Sequence, residues 1–169
     1  TAVRAVKKMP EYMECKIIEI DENRCEYLND ILDDTKALII HGDGRDIPLL
    51  NEEGIRSTQA FVALTGNAET NILACLTAKR LGVRKTVAVV ENVDYVSMAE
   101  SLDIGTIINK KMIAASYIYQ MMLDADVMNV RFLMNANADV AEFIAKEGSK
   151  VTKKPVKDLG LPIGVTIGG

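Results

Sequence analysis

A chain of 169 residues, 49% apolar and 26% charged, has the makeup of a globular protein with room for one sizeable core. Its formal net charge of −4 disfavours a nucleic-acid partner, since such domains carry a basic patch, and no apolar run approaches the roughly 20 residues of a membrane-spanning helix. The opening TAVRAVKKMPEY has no secretory apolar region. The three cysteines, Cys15, Cys25 and Cys75, are too scattered for a disulfide framework or, with the single His41, for a zinc site.

In chain order, TAVRAVKKM places Ala2, Val3, Ala5, Val6 and Met9 at helical spacing, so the chain reads as starting within a helix. CKIIEI (15–20) is a short β-rich run, and NRCEYLNDIL (23–32) puts Cys25, Leu28, Ile31 and Leu32 on one helical face. KALIIH (36–41) is a strand. IPLLNEEG (47–54) is a short helix with Asp46 as its N-cap, Pro48 in the first turn and Gly54 as its stop. AFVALT (60–65) is the next strand. NAETNILACLTAKRLG (67–82) is the clearest helix, capped by Thr65 or Asn67, with Lys79 and Arg80 at the negative end of its dipole and Gly82 closing it.

KTVAVV (85–90), VDYVSMAESL (93–102), GTIIN (105–109) and KMIAASYIYQMML (111–123) continue as strand, helix, strand, helix. Apolar strands alternating with helices over short loops predict a doubly wound α/β parallel sheet with right-handed crossovers. The four strands 15–20, 36–41, 60–65 and 85–90 should all run parallel. After about residue 127 the pattern changes to NVRFLM, VAEFIA and GVTIGG, short strands around KKPVKDLGLP, so a boundary is expected near Ala125. GVTIGG reads as a strand that stops short, and the chain as a fragment of a longer one.

In a doubly wound fold, ligands bind at the carboxyl ends of the strands. Those ends are Glu19-Ile20-Asp21, Gly42-Asp43-Gly44-Arg45-Asp46, Thr65-Gly66-Asn67 and Glu91-Asn92. Asp21 suits two roles equally: accepting from the two hydroxyls of a ribose, which would favour NAD or ATP over NADP, or capping the helix that follows. Asp43 can accept from an adenine amino group, and the flanking Gly42 and Gly44 permit close approach to a flat ring. The competing reading is an Asx turn. His41 reads as a strand-end histidine. The loop Thr65-Gly66-Asn67 can cap a helix and still offer N–H groups to an anion. No Ser/His/Asp set and no paired catalytic carboxylates emerge, which disfavours an enzyme.

The runs IIEIDENRCEYL, IIHGDGRDIPLLNEEGI, AFVALTGNAETNILACLTAKRLGV and KTVAVVENVDYVSMAESLDIGTIIN, in this order and spacing, resemble the Trk/Ktr family of potassium-uptake regulatory subunits, the RCK or KTN domains. The tail SKVTKKPVKDLGLPIGVTIGG resembles the opening of their smaller C-terminal domain. The resemblance implies a Rossmann-like parallel sheet with helices on both faces over residues 1–125, its first strand missing. The start of a small, truncated α+β domain would follow over 126–169. It implies an adenine nucleotide, NAD(H) or ATP/ADP, held by Asp21 at the ribose, Asp43, Gly44 and Arg45 at the adenine, and Thr65 and Asn67 facing the phosphates. Arg45 stands where the family often has Thr or Ala. Glu100 matches an acid near the phosphates and a divalent cation in some relatives, although it reads on its own as a solvated helix face. The glycine-rich phosphate loop would precede Thr1, so the adenosine half of the site is expected here without the pyrophosphate half.

The resemblance further implies a cytoplasmic subunit peripheral to the inner face of the membrane. It would not span the bilayer; it would act on a potassium transporter or channel and bind no nucleic acid or metal. Self-association, most simply a dimer, is expected through helix 111–123, which carries more apolar residues than one face of a small domain needs. A fragment of an NAD-dependent dehydrogenase is the alternative, and a gating-ring or efflux-system module answering to another ligand is a third reading.

Overall fold

The computed structural model describes residues 2–123, 127–133 and 138–168. It divides into two units, Thr1–Ile113 and Ala114–Gly169. The boundary expected near Ala125 lies outside the described residues.

The first unit begins with helix α1 (Ala2–Val6), then strand β1 (Cys15–Glu19), helix α2 (Glu22–Leu32), strand β2 (Ala37–His41) and helix α3 (Ile47–Glu52). Strand β3 (Ala60–Ala63), helix α4 (Ala68–Arg80), strand β4 (Lys85–Val89), helix α5 (Val93–Ser101) and strand β5 (Thr106–Ile108) follow, and helix α6 (Lys110–Met122) begins in this unit and continues past its end at Ile113. Each element falls where the apolar pattern predicted it, to within about two residues at most ends, the usual fraying of helix and strand termini.

All observed pairings in this unit are parallel: β1 with β2, and β4 with both β3 and β5. Backbone hydrogen bonding divides these strands into a two-stranded and a three-stranded sheet. Side chains make the connection that backbone bonds do not. Ile18 of β1 and Phe61 of β3 both pack on a cluster of Leu50, Ile55, Ala78 and Val83. Strand alternation sends Ile17 the other way, into a cluster with Val6, Leu28 and Leu32 from α1 and α2. Strand β1 is therefore packed on both faces. A third cluster, including Ala63, Cys75, Val90, Val96 and Ile104, fills the layer around β3–β5.

Local chemistry explains the ends. Gly54 (φ 78°) and Gly82 (φ 105°) adopt the left-handed conformation after α3 and α4 that glycine tolerates best. Asp46 occupies the N-cap position of α3 but makes no side-chain cap bond; Pro48, in the first turn, removes one of the N–H groups such a bond would satisfy.

In the second unit, β6 (Val127–Leu133) and β7 (Ala138–Phe143) pair antiparallel with a register shift between Val127 and Asn129. Residues 164–168 form no strand, contrary to the expectation for GVTIGG. Among the described residues no strand pairs with them, and Gly164 turns the chain at φ 88°. Helix α6 buries none of its described side chains.

Candidate functional site

The carboxyl ends of β1 and β2 are closed together by backbone contacts. Gly42 N–H donates to the Glu19 carbonyl at 2.9 Å, and His41 Nε2 lies 3.0 Å from the Ile20 carbonyl, which places His41 as a strand-end contact. Asp21 is exposed and caps α2: its Oδ1 accepts from Arg24 N–H at 3.1 Å. The helix-cap role is thus realised in the structure.

Glu19, the last residue of β1, was not singled out by the sequence reading. Its Oε1 accepts from the N–H groups of Ile20 and Asp21, and its Oε2 lies 3.4 Å from Arg24 Nε. The signal was available in IIEID, where an acid interrupts an apolar run just before the loop.

The β2 loop holds Asp43, Gly44 and Arg45 in one tight group. Asp43 Oδ1 accepts from the backbone N–H and the Nε of Arg45 at 2.9 and 3.0 Å, while Oδ2 accepts from Nη2 at 2.7 Å. The hydrogen bonds from the Arg45 side chain, then from its backbone, hold the Asp43 carboxyl below its ordinary range. A Cβ added at Gly44 would meet no atom within 4 Å.

The β3 loop is organised by a residue the sequence reading did not name. Asn71, buried in α4, accepts from both the backbone N–H and the hydroxyl of Thr65 and donates to the Thr65 and Val89 carbonyls. The Thr65 hydroxyl proton is thereby engaged. Asn67 caps α4, its Oδ1 accepting from Thr70 N–H at 2.6 Å, which resolves the choice between Thr65 and Asn67 as cap. Gly66 between them faces open space. A second buried amide, Asn109, donates to the Val90 and Glu91 carbonyls and accepts from Met112 N–H, so β4, β5 and the start of α6 share one anchor. Asn92 caps α5 through Asp94 N–H.

Asp21, the Asp43-Gly44-Arg45 group and the Thr65–Asn67 loop therefore all stand at the carboxyl ends of parallel strands. Glu100 does not join them. It is exposed in the last turn of α5, and α5 starts from the strand-end loop at Asn92 and runs away from it. A pocket of about 590 Å³ lined by Val6, Lys7, Met13, Cys15 and Lys36, among others, lies where β1 and β2 begin. None of the candidate residues lines it, and ligands of this fold class bind at the opposite strand ends. Among the described residues no group of three or more His, Cys, Asp or Glu could hold a metal ion, and no helix is long and apolar enough to cross a membrane.

The residues suit the adenosine part of a nucleotide in shape, with open ground over Gly44 and Gly66 and an exposed carboxylate at Asp21. They suit it less in free acceptors, since Asp43 is already paired.

The family model of the TrkA-N domain matches residues 1–110. The chain is similar to the Trk system potassium uptake protein TrkA of Halomonas elongata, 31% identical over 169 residues, covering 96% of this chain and 36% of that protein. It is 32% identical over 165 residues to the protein of the same name from Vibrio alginolyticus, again covering 96% and 36%. It spans about a third of the length of these curated relatives. Among solved structures, the fold resembles that of the GsuK channel bound to NAD, with a TM-score of 0.59 and 13% identity over 76% of this chain and 24% of that one. It also resembles the NAD(P)-binding domain of an exopolyphosphatase-related protein from Archaeoglobus fulgidus, with a TM-score of 0.56 and 12% identity over 71% of this chain and 86% of that one. The parallel strands, their alternating helices and a family match covering every candidate residue lead to one assignment: this chain belongs to the TrkA-N domain family.

Proposed function

We propose that this chain is the nucleotide-binding regulatory part of a potassium-uptake system. The observation that carries the reading is the TrkA-N match over residues 1–110, which contains all the strand-end loops. Asp21 meets the ribose, Asp43, Gly44 and Arg45 border the base, and Thr65 and Asn67 face the phosphates. Relatives named as potassium uptake proteins and a fold neighbour bound to NAD support the nucleotide NAD(H), with ATP or ADP as the other candidates. The protein is not an enzyme on this reading. It works at the cytoplasmic face of the membrane beside a potassium transporter or channel, and ligand-dependent rearrangement changes that partner's activity. Residues 1–125 act as the nucleotide domain and 126–169 as the start of a second, smaller domain. Exposed Tyr117, Ile118, Met121 and Met122 on α6 support association with a second copy.

Calorimetric titration of the full-length protein with NADH, NAD, ATP and ADP tests the reading. At least one should bind, and binding should alter potassium uptake in cells carrying the transporter partner. No binding by any of the four removes the proposal. Substrate-dependent loss of nicotinamide absorbance would instead identify a dehydrogenase fragment.

A further inference from the structure

Asp43 and Arg45 lie two residues apart in the β2 loop, and the guanidinium closes on the carboxylate as a fork. Beyond the contacts already given, Nε also reaches Oδ2 at 3.3 Å. An ionised carboxylate offers about four acceptor positions. Arg45 approaches Oδ1 twice and Oδ2 twice. An acid that could select an adenine amino group is therefore engaged before any ligand arrives. What the loop offers in its place is a half-exposed, planar guanidinium beside the open space at Gly44. Such a plane stacks on a flat ring without reading its edge.

We propose that Arg45 sets the base specificity of this loop by masking Asp43, so that the site takes a purine by its face and accepts adenine and 6-oxopurine nucleotides alike. This rests on the nucleotide-binding reading above. Arginine is the residue for the task because its fork matches both carboxylate oxygens at once, whereas a lysine ammonium would leave one of them open. The lowered pKa of Asp43 agrees with a carboxylate that stays ionised and paired.

The test compares ADP with inosine diphosphate, which carries a 6-oxo group in place of the 6-amino group, by calorimetry on the full-length protein. Wild type should bind the two within about fivefold of each other, the reach of a solvent-exposed contact. Arg45→Ala removes the three side-chain contacts and leaves only the backbone N–H on Oδ1, so Oδ2 is free to accept from the amino group and to repel the oxo group, and ADP should be preferred by about tenfold or more. The double variant Asp43→Ala, Arg45→Ala should return to the wild-type ratio, which shows that the selection resides in Asp43. Both side chains are partly exposed, and circular dichroism checks that the fold is kept. A wild type that already prefers ADP about tenfold, or an Arg45→Ala ratio equal to wild type, overturns the masking while leaving nucleotide binding intact. Failure of wild type to bind both ADP and inosine diphosphate overturns this inference, and only the further failure to bind NADH, NAD and ATP defeats the regulatory reading itself.

Discussion

Asn71 of α4 donates its amide to the carbonyl of Val89 at the end of β4, 2.8 Å away, while its oxygen accepts from Thr65 at the end of β3. With 1% exposure and two bonds on each end of the amide, it fixes two neighbouring strand ends from the helix between them. Asn71→Ala strands the Val89 carbonyl and the Thr65 N–H without partners. A loss of about 1–3 kcal/mol in a denaturant melt is expected, the penalty for an unsatisfied buried group. An unchanged midpoint would show that the β3 and β4 ends hold without it.

Gly105 precedes β5 at φ 102°, and a Cβ there would run into the side chain and carbonyl of Thr86. Thr86 is buried and its hydroxyl donates to the Ile104 carbonyl, so it has nowhere to retreat. Gly105→Ala should cost about 3 kcal/mol or more through combined clash and backbone strain. Gly66→Ala meets nothing within 4 Å and should stay within about 0.5 kcal/mol. Thermal melts of the two variants side by side check the contrast, and equal losses would contradict it.

Asp21→Ala removes the Oδ1 acceptor of Arg24 N–H and should lower stability by about 1 kcal/mol. If the carboxylate also accepts from a ribose, nucleotide affinity of the full-length protein should fall about 10- to 100-fold. Calorimetry beside a melt separates the two roles. A lowered melting temperature with unchanged affinity leaves Asp21 as a helix cap alone.

Burial pushes the Cys75 thiol from its ordinary 9.0 up to about 11, against the smaller opposing effect of its backbone hydrogen bonds. The folded state thus keeps a proton that the unfolded state releases first. By linkage, this contribution to stability is intact below about pH 9 and is lost as pH rises toward 11. Cys75→Ala should flatten the decline between pH 8.5 and 10.5 relative to wild type, measured as the difference between the two proteins' melting temperatures at each pH. Parallel declines would show that Cys75 does not contribute.

Much of the fold was legible because its signals are local. Ile17 and Ile18 alternate across β1, and Leu28 with Leu32 recur at one helical turn on α2, so strand and helix declare themselves before any contact is known. The joining of β1 to β3 through Leu50 and Ile55 was not legible, because side-chain packing between Ile18 and Phe61, some 40 residues apart, leaves no local trace. At the site, the strand-end positions of Asp21, Asp43 and Thr65 followed from the alternation. The engagement of Asp43 by Arg45 did not, because it depends on one side-chain conformation. Asn71 could have been found: it stands four residues before Cys75 and seven before Ala78, a lone amide on a buried stripe.

Helix α6 carries Met121 and Met122 at 72% and 75% exposure, the reverse of the shielded Cys75 thiol. A thioether open to solvent is open to oxidants, and the sulfoxide is polar where the thioether is apolar. Mild peroxide should therefore mark these two methionines before it reaches Cys75, turning a greasy helix end into a hydrated one. If copies of the chain meet through that end, the redox history of the cell is written onto the contact, and a sulfoxide reductase erases it.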